Sequence, residues 1–111
     1  IIPDSSIMEG NIVAYPNPFG RLNQPYTRFV YYLQKSCNVI FSIYDAFGNR
    51  VYHREIPAGQ NGARIGINNL IWDGRNDKGK RVASGVYYLL IKGYLHTNVF
   101  LEKRIMVGVI W

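Results

Sequence analysis

The amino-acid sequence predicts an all-β fold: a two-sheet antiparallel sandwich of about seven strands, forming a single domain over residues 1–111. Apolar and polar residues alternate with a period of two in short segments, which clusters of Gly, Pro, Asn and Asp separate. Helical periodicity is absent almost throughout, so no helices are available for the crossovers that a parallel sheet requires. A chain of 111 residues is long enough for one hydrophobic core.

The first half of the chain contains four predicted strands, at residues 11–15, 27–33, 38–45 and 50–55. Residues 1–10 are assigned to an N-terminal linker or a lead-in to the first strand. In the third strand Val39, Phe41 and Ile43 occupy alternate positions and are expected to face inwards. Gly48 and Asn49 tolerate positive φ, and they predict a hairpin between the third and fourth strands.

The second half contains three predicted strands, at residues 69–73, 86–92 and 99–110. Residues 57–66 include three Gly, one Pro and one Asn, which predicts a loop that crosses between the sheets. Residues 74–79 predict a long polar turn. In the last strand five apolar residues are expected to face inwards: Val99, Leu101, Ile105, Val107 and Val109.

Charge and hydropathy argue against several functions. The net charge is +6, but the thirteen Lys and Arg are spread from Arg21 to Arg104, and the densest group lies among Asp73 and Asp77. That group consists of Arg75, Lys78, Lys80 and Arg81. We therefore expect an ordinary solvated surface and no nucleic-acid partner. No segment of about eighteen apolar residues is present, so membrane insertion is not expected.

The residues that could support catalysis lack the accompanying motifs. Cys37 is the only cysteine, which excludes an internal disulfide and the cysteine-based zinc patterns. It precedes an apolar strand, where a free cysteine usually behaves as a small buried hydrophobe. His53 and His96 are not accompanied by a nucleophile signature. No enzyme activity and no cofactor are expected.

A calcium loop is the strongest metal-site alternative in the sequence. Asp73, Asn76 and Asp77 supply oxygen ligands among glycines. In the register that starts at Asp73, however, Arg75 and Lys78 occupy the third and sixth positions of the calcium-loop template, where Asp or Asn and Gly are required. We expect a hairpin turn instead, and no metal site.

Three segments carry a more specific signal: residues 13–19 (V-A-Y-P-N-P-F), 43–51 (I-Y-D-A-F-G-N-R-V) and 71–89 (I-W-D-G-R-N-D-K-G-K-R-V-A-S-G-V-Y-Y-L). Together, and in this order, they resemble the immunoglobulin-like domain of the flagellar hook-capping protein family, as found in C-terminal, type IX secretion-like sorting domains of exported bacterial proteins. The resemblance implies an immunoglobulin-like sandwich, export to the cell surface or the extracellular space, and no catalysis.

Twelve motif residues are predicted to act in structure or in partner recognition: Tyr15, Pro16, Asn17, Pro18, Phe19, Trp72, Asp73, Gly74, Asn76, Gly79, Gly85 and Tyr87. Tyr15 and Phe19 are expected to fold back over the open end of the sandwich and seal it. Recognition of the Pro-Asn-Pro corner by an export receptor is the alternative. Trp72 is expected to be buried, with its indole N–H bonded to a partner.

The favoured function is that of a non-catalytic C-terminal module of a larger secreted or surface protein, acting in export, sorting or surface attachment. The sequence opens Ile1-Ile2 without an initiator Met or a leader, which is typical of a mature product or a fragment. The final strand runs to Trp111, and an export receptor is expected to pair with its edge or to grip its end. The expected partners are an upstream domain of the same polypeptide and secretion or cell-surface machinery.

Two alternatives stay open at this point. The first is a structural assembly domain of a scaffold that resembles a flagellar hook cap. The second is a carbohydrate-binding module whose stacking face is formed by Tyr31, Tyr32, Tyr87 and Tyr88. Consecutive strand residues point to opposite faces, so at most one tyrosine of each pair is expected to be exposed.

Overall fold

The computed structural model describes residues 12–21, 23–96 and 98–111, with the side chain of Phe100 excepted. Seven strands lie in this part of the chain, and it contains no helix. They are β1 (Ile12–Tyr15), β2 (Thr27–Leu33), β3 (Asn38–Tyr44), β4 (Arg50–Ile56), β5 (Gly66–Trp72), β6 (Gly85–Leu95) and β7 (Asn98–Val109). The predicted lead-in over residues 1–10 and the first residue of the first predicted strand lie outside the described residues.

The strands form two antiparallel sheets, which confirms the predicted all-β, immunoglobulin-like sandwich. One sheet has the order β1-β2-β5 and the other β4-β3-β6-β7. The loop between β4 and β5 leads from the four-stranded sheet to the three-stranded sheet, as its Gly and Pro content predicts. Phe29 and Phe41 meet edge to face across the core with their ring centroids 5.7 Å apart. Val39, Phe41 and Ile43 face inwards as predicted.

Two strands are longer than the sequence indicates. β5 begins at Gly66 instead of residue 69, because it pairs with β2 along the whole length of both strands. The polar Asn68 interrupts the apolar pattern there, yet it is fully buried. Its side chain accepts a hydrogen bond from the Gly62 N–H at 3.0 Å and donates one to the Arg64 carbonyl at 2.8 Å. β6 likewise runs from Gly85 to Leu95, where residues 86–92 were predicted.

The predicted inward position of Val99 is wrong. The pairing of β6 with β7 shifts between Gly93 and Tyr94, so that Gly93 lies opposite Leu101 while Tyr94 lies opposite Val99. Leu101 is consequently buried, whereas Val99 is 47% exposed. A strand irregularity of this kind changes which face of the sheet a side chain occupies. The alternation of apolar and polar residues in the sequence does not reveal it.

The β3–β4 hairpin is held by one carboxylate. Asp45 accepts hydrogen bonds from the Phe47 N–H, the Asn49 N–H and the Asn49 side-chain amide, at 2.9, 2.9 and 3.0 Å. These bonds, with the Asn49 side chain the largest cause, lower the pKa of Asp45 below its ordinary value. Gly48 adopts positive φ as predicted, but Asn49 does not and instead acts as the donor.

Candidate functional site

The Pro-Asn-Pro corner lies against the end of β7. The Asn17 side-chain amide donates to the Met106 carbonyl at 3.1 Å, and the Gly108 N–H donates to the Asn17 Oδ1 at 2.9 Å. Backbone bonds from Phe19 N–H to Gly108 O and from Ile110 N–H to Phe19 O extend the contact, at 3.0 and 2.8 Å. The outer edge of β7 from Met106 to Ile110 is therefore already hydrogen-bonded.

This arrangement corrects one of the two predicted modes of recognition, the pairing of a receptor with the last strand at this end. Its outward-facing peptide groups are bound to Asn17 and Phe19. Further towards the N-terminus of β7, Lys103 shares the inward-facing register of Leu101 and is half-buried. An inward-pointing lysine on an edge strand opposes pairing with another strand, because pairing removes its ammonium group from water.

Four aromatic side chains meet at this end of the sandwich, and we call them the aromatic end cluster: Phe19, Trp72, Tyr87 and Trp111. Their rings contact edge to face, with centroid distances of 5.7 Å for Phe19–Trp72, 5.8 Å for Phe19–Trp111 and 5.7 Å for Trp72–Tyr87. Phe19, Trp72 and Tyr87 are buried, and Trp111 is half-buried. Residues from the first and third motif segments are thereby packed together.

Each polar group in the aromatic end cluster has a hydrogen-bond partner. The Trp72 Nε1 donates to the Arg75 carbonyl at 2.9 Å, as its predicted burial requires. The Tyr87 hydroxyl donates to the Ala83 carbonyl at 2.7 Å. The Trp111 Nε1 donates to the Val82 carbonyl at 2.6 Å. The cluster thus connects the turn after β5, the start of β6 and Trp111.

The polar turn after β5 is built from side-chain caps on its own backbone. Asn76 Oδ1 accepts from the Lys78 and Lys80 N–H groups at 2.9 and 3.0 Å, and Asp73 Oδ1 accepts from the Arg75 N–H at 3.2 Å. Gly74 and Gly79 adopt positive φ. Asp77 attaches the turn to the edge of β4 by accepting from the His53 N–H at 3.0 Å. These hydrogen bonds, in which side-chain oxygens accept from backbone N–H groups, are the ones that the predicted hairpin turn requires.

We expect chelation to leave stability unchanged. The oxygens of Asp73 and Asn76 that a calcium ion would need already accept backbone N–H groups, and Arg75 and Lys78 place cations in the same turn. Thermal unfolding followed by circular dichroism should give the same Tm with and without excess EDTA, within about 1 °C, since only an ion bound to the folded state raises Tm. A decrease of several degrees in EDTA would show a bound cation.

The comparisons with known proteins agree with this geometry. The sequence profile of the FlgD Ig-like domain matches residues 25–94, which is more than half of the chain. The chain belongs to the FlgD Ig-like domain family. The comparison with curated proteins finds no match.

Solved structures similar to this FlgD Ig-like domain include a PorZ protein and several FlgD proteins. PorZ of Porphyromonas gingivalis, an essential bacterial surface component of the type-IX secretion system, has a TM-score of 0.63 and 26% identity over 97% of this chain. FlgD of P. aeruginosa has a TM-score of 0.64 and 18% identity over 87% of the chain, and FlgD of Xanthomonas campestris has 0.57 and 20% over 94%. The chain covers 12% of PorZ and 70% of each FlgD.

Trp111 is the member of the aromatic end cluster that the sequence analysis does not identify. Its ring lies 2.6 Å from the position that a Cβ on Gly74 would occupy, so Gly74 makes room for it. The Arg81 guanidinium carbon lies 3.9 Å from the Trp111 ring centroid, a cation–π contact. A tryptophan directly after an apolar edge strand is the only sequence signal for this role.

One motif residue that was expected at this end, Tyr15, lies away from the aromatic end cluster. Tyr15 does not seal the end of the sandwich as predicted, because it is 73% exposed on the outer face of the three-stranded sheet. Its inward neighbour Ala14 takes the position towards the core. Gly85 is exposed at the start of β6, opposite Val109. The predicted sealing role therefore holds for Phe19 alone.

The four tyrosines considered for carbohydrate stacking do not form one surface. Tyr31 and Tyr87 are buried. Tyr32 lies on the outer face of the three-stranded sheet, whereas Tyr88 lies on the outer face of the four-stranded sheet. The sandwich separates the two remaining rings, so they cannot stack on one ligand.

A second group that the sequence analysis does not identify is a line of polar side chains on β3 and β4. The Ser42 hydroxyl lies 3.2 Å from His53 Nδ1, and His53 Nε2 lies 3.4 Å from a Glu55 carboxylate oxygen. β3 pairs with strands on both sides, so its peptide N–H groups are used in the sheet and none is left to stabilise an oxyanion beside Ser42.

Burial raises the pKa of Cys37, which disfavours the thiolate form.

None of the described residues forms a helix long and apolar enough to cross a membrane.

Proposed function

We propose that this FlgD Ig-like domain is a non-catalytic module of a larger exported or surface protein, acting in export, sorting or surface attachment. The similarity to PorZ carries the proposal: 97% of this chain corresponds to 12% of a long protein that is a surface component of the type-IX secretion system. A sandwich that forms a small part of a longer protein fits the role of a module attached to the other domains of that protein.

Both edge strands of the four-stranded sheet are covered in part, which supports the proposal. Asn17 and Phe19 cover the end of β7, and Asp77 binds the edge of β4. Covered peptide groups disfavour strand-to-strand aggregation. At the covered end of β7, recognition by the export machinery then depends on side chains and not on strand addition.

The corner and the adjacent strands offer such a surface. A groove of about 620 Å³ lies between Pro18 and the ends of β6 and β7, and no charged residue lines it. Val86, Met106 and Ile110 border it and are 41%, 53% and 36% exposed. We infer that the motif residues in the core of this end hold the groove in shape, while exposed Pro18 contributes to partner recognition.

Fusion to a reporter tests this function. In a host with the type IX apparatus, the domain at the C-terminus of a reporter should carry it across the outer membrane. Met106→Glu should reduce export, because it places a charge in the apolar groove without changing the core. Val99→Glu is the matched control, since Val99 lies at the other end of the same strand with similar exposure.

Export of the three fusions distinguishes recognition through the groove from the absence of a sorting function. Export of the wild-type and Val99→Glu fusions with loss of the Met106→Glu fusion supports recognition through the groove. If the wild-type fusion stays in the periplasm while an established cargo domain leaves the same cells, the sorting function is wrong. Circular dichroism of the purified variants shows whether both remain folded.

Membership of the FlgD Ig-like domain family favours a second candidate, a structural domain of a scaffold that resembles a hook cap. In that case the complete gene product should restore flagellar assembly in a strain that lacks FlgD, and the reporter fusion should not be exported. The two candidates therefore give opposite results in the two assays.

A further inference from the structure

The outer face of the three-stranded sheet is unusually apolar. Strand pairing places eight described side chains on it: Val13, Tyr15, Arg28, Val30, Tyr32, Ile67, Asn69 and Ile71. Six of these are aliphatic or aromatic, and four of the six are more than half exposed: Val13 at 55%, Tyr15 at 73%, Ile67 at 57% and Ile71 at 51%. A contiguous exposed apolar patch of a few hundred Å² is often functional.

The outer face of the other sheet is more polar, although it also carries apolar side chains such as Ile40, Leu90 and Met106. Its charged residues are Arg50, Glu55, Lys92, Glu102 and Arg104. Arg104 and Glu102 form an ion pair at 3.0 Å. Antiparallel sheets in a sandwich usually place polar residues outwards, so a face on which one described side chain is charged departs further from that pattern than a face with five.

Arg28 is the only charged residue among the eight described side chains of the apolar face. It lies between Tyr15 and Ile71 in the cross-strand row and is half-buried. No carboxylate among the described residues lies within ion-pair distance of its guanidinium group. A tyrosine and an arginine surrounded by aliphatic side chains are the residue types that dominate binding energy at protein interfaces. A carboxylate on a binding partner would form an ion pair with the Arg28 guanidinium group.

We propose that this apolar face docks against a neighbouring domain of the same polypeptide, which presents an apolar surface with a carboxylate opposite Arg28. This inference rests on the proposed function as a module of a longer protein. Three strands of this length present about 300 Å² per side, estimated from strand spacing and rise. That area falls near the lower end of interfaces between domains of one chain and below those of stable complexes between separate chains.

Charge also argues against a second copy as the partner. The chain carries a net charge of +6, and the face itself holds one cation and no anion. Two copies would bring like charges together. A tethered domain needs less interface area than a separate chain, because the tether keeps its effective concentration high.

Thiol labelling tests the docking. Ile67→Cys reports on the apolar face, and Val99→Cys, at a position 47% exposed on the other sheet and outside the groove, is the matched control. Cys37 is buried and reacts slowly in both. In the complete gene product, a maleimide should label Ile67→Cys at least about tenfold more slowly than in the 111-residue chain, because a face docked nine-tenths of the time reacts only in the remainder. Val99→Cys should react equally in both.

Adding Arg28→Glu to the complete protein should restore rapid labelling of Ile67→Cys, whereas Arg50→Glu on the other sheet should not. Equal Ile67→Cys rates in the two contexts would overturn the proposal, as would equal slowing of Val99→Cys. Concentration-dependent association of the 111-residue chain through this face would also overturn it, by identifying a second copy as the partner. Because labelling is measured on purified protein, its outcome is independent of the export assay.

Discussion

Trp72→Ala is expected to lower the free energy of unfolding by about 3–5 kcal/mol, the range for truncating a large aromatic side chain in a packed core. Trp72 is 1% exposed and contacts Phe19 and Tyr87 edge to face. Its removal leaves a cavity between the corner and β6 and leaves the Arg75 carbonyl without its donor. Urea unfolding followed by circular dichroism measures the change.

Ile71→Ala is the matched control for this prediction. Ile71 is the preceding residue of the same strand, but it is 51% exposed on the opposite face. In the isolated chain its truncation should change stability by less than about 0.5 kcal/mol, as for most surface substitutions. A loss below about 1 kcal/mol for Trp72→Ala would mean that the indole ring lies at the surface, which would contradict its place in the aromatic end cluster.

The sequence predicts the architecture well because alternation is a local property. In β2 and β3 each inward residue is separated from the next by one outward residue, so the inner face can be identified without the fold. The failures occur where a position depends on a distant strand. The register shift beside Gly93 decides that Val99 is exposed, and Asn68 is buried because loop backbone groups satisfy its amide.

The candidate site is less predictable, because its contacts join the two ends of the chain. Asn17 binds backbone groups 89 and 91 residues away, at Met106 and Gly108. Nothing in the Pro-Asn-Pro segment indicates that partner. Trp72 was identifiable, since a large apolar ring in a small sandwich belongs in the core. Tyr15 was not, because a tyrosine at the end of a strand fits either face.

Gly74→Ala is expected to destabilise the domain by about 1–3 kcal/mol more than Gly79→Ala. Both glycines lie in the turn after β5 with nearly the same positive φ, +77° and +80°, so both substitutions should carry the left-handed penalty of about 1–2 kcal/mol. They differ in their surroundings. A Cβ on Gly74 would lie 2.6 and 2.8 Å from two carbons of the Trp111 ring, whereas one on Gly79 would meet nothing within 4 Å. The additional loss is the overpacking term.

Trp111→Ala shows whether this ring is the cause. In that background the extra Cβ has room, so Gly74→Ala and Gly79→Ala should then destabilise the domain equally, and a double-mutant cycle between Gly74 and Trp111 should give a coupling energy of about 1–3 kcal/mol. Urea unfolding supplies every value. It is measured for the four proteins of the cycle and for Gly79→Ala, both alone and combined with Trp111→Ala. A coupling energy near zero would mean that the Trp111 ring moves aside freely. The Phe19 contact, the Val82 hydrogen bond and the stacked Arg81 would then not fix it against the turn.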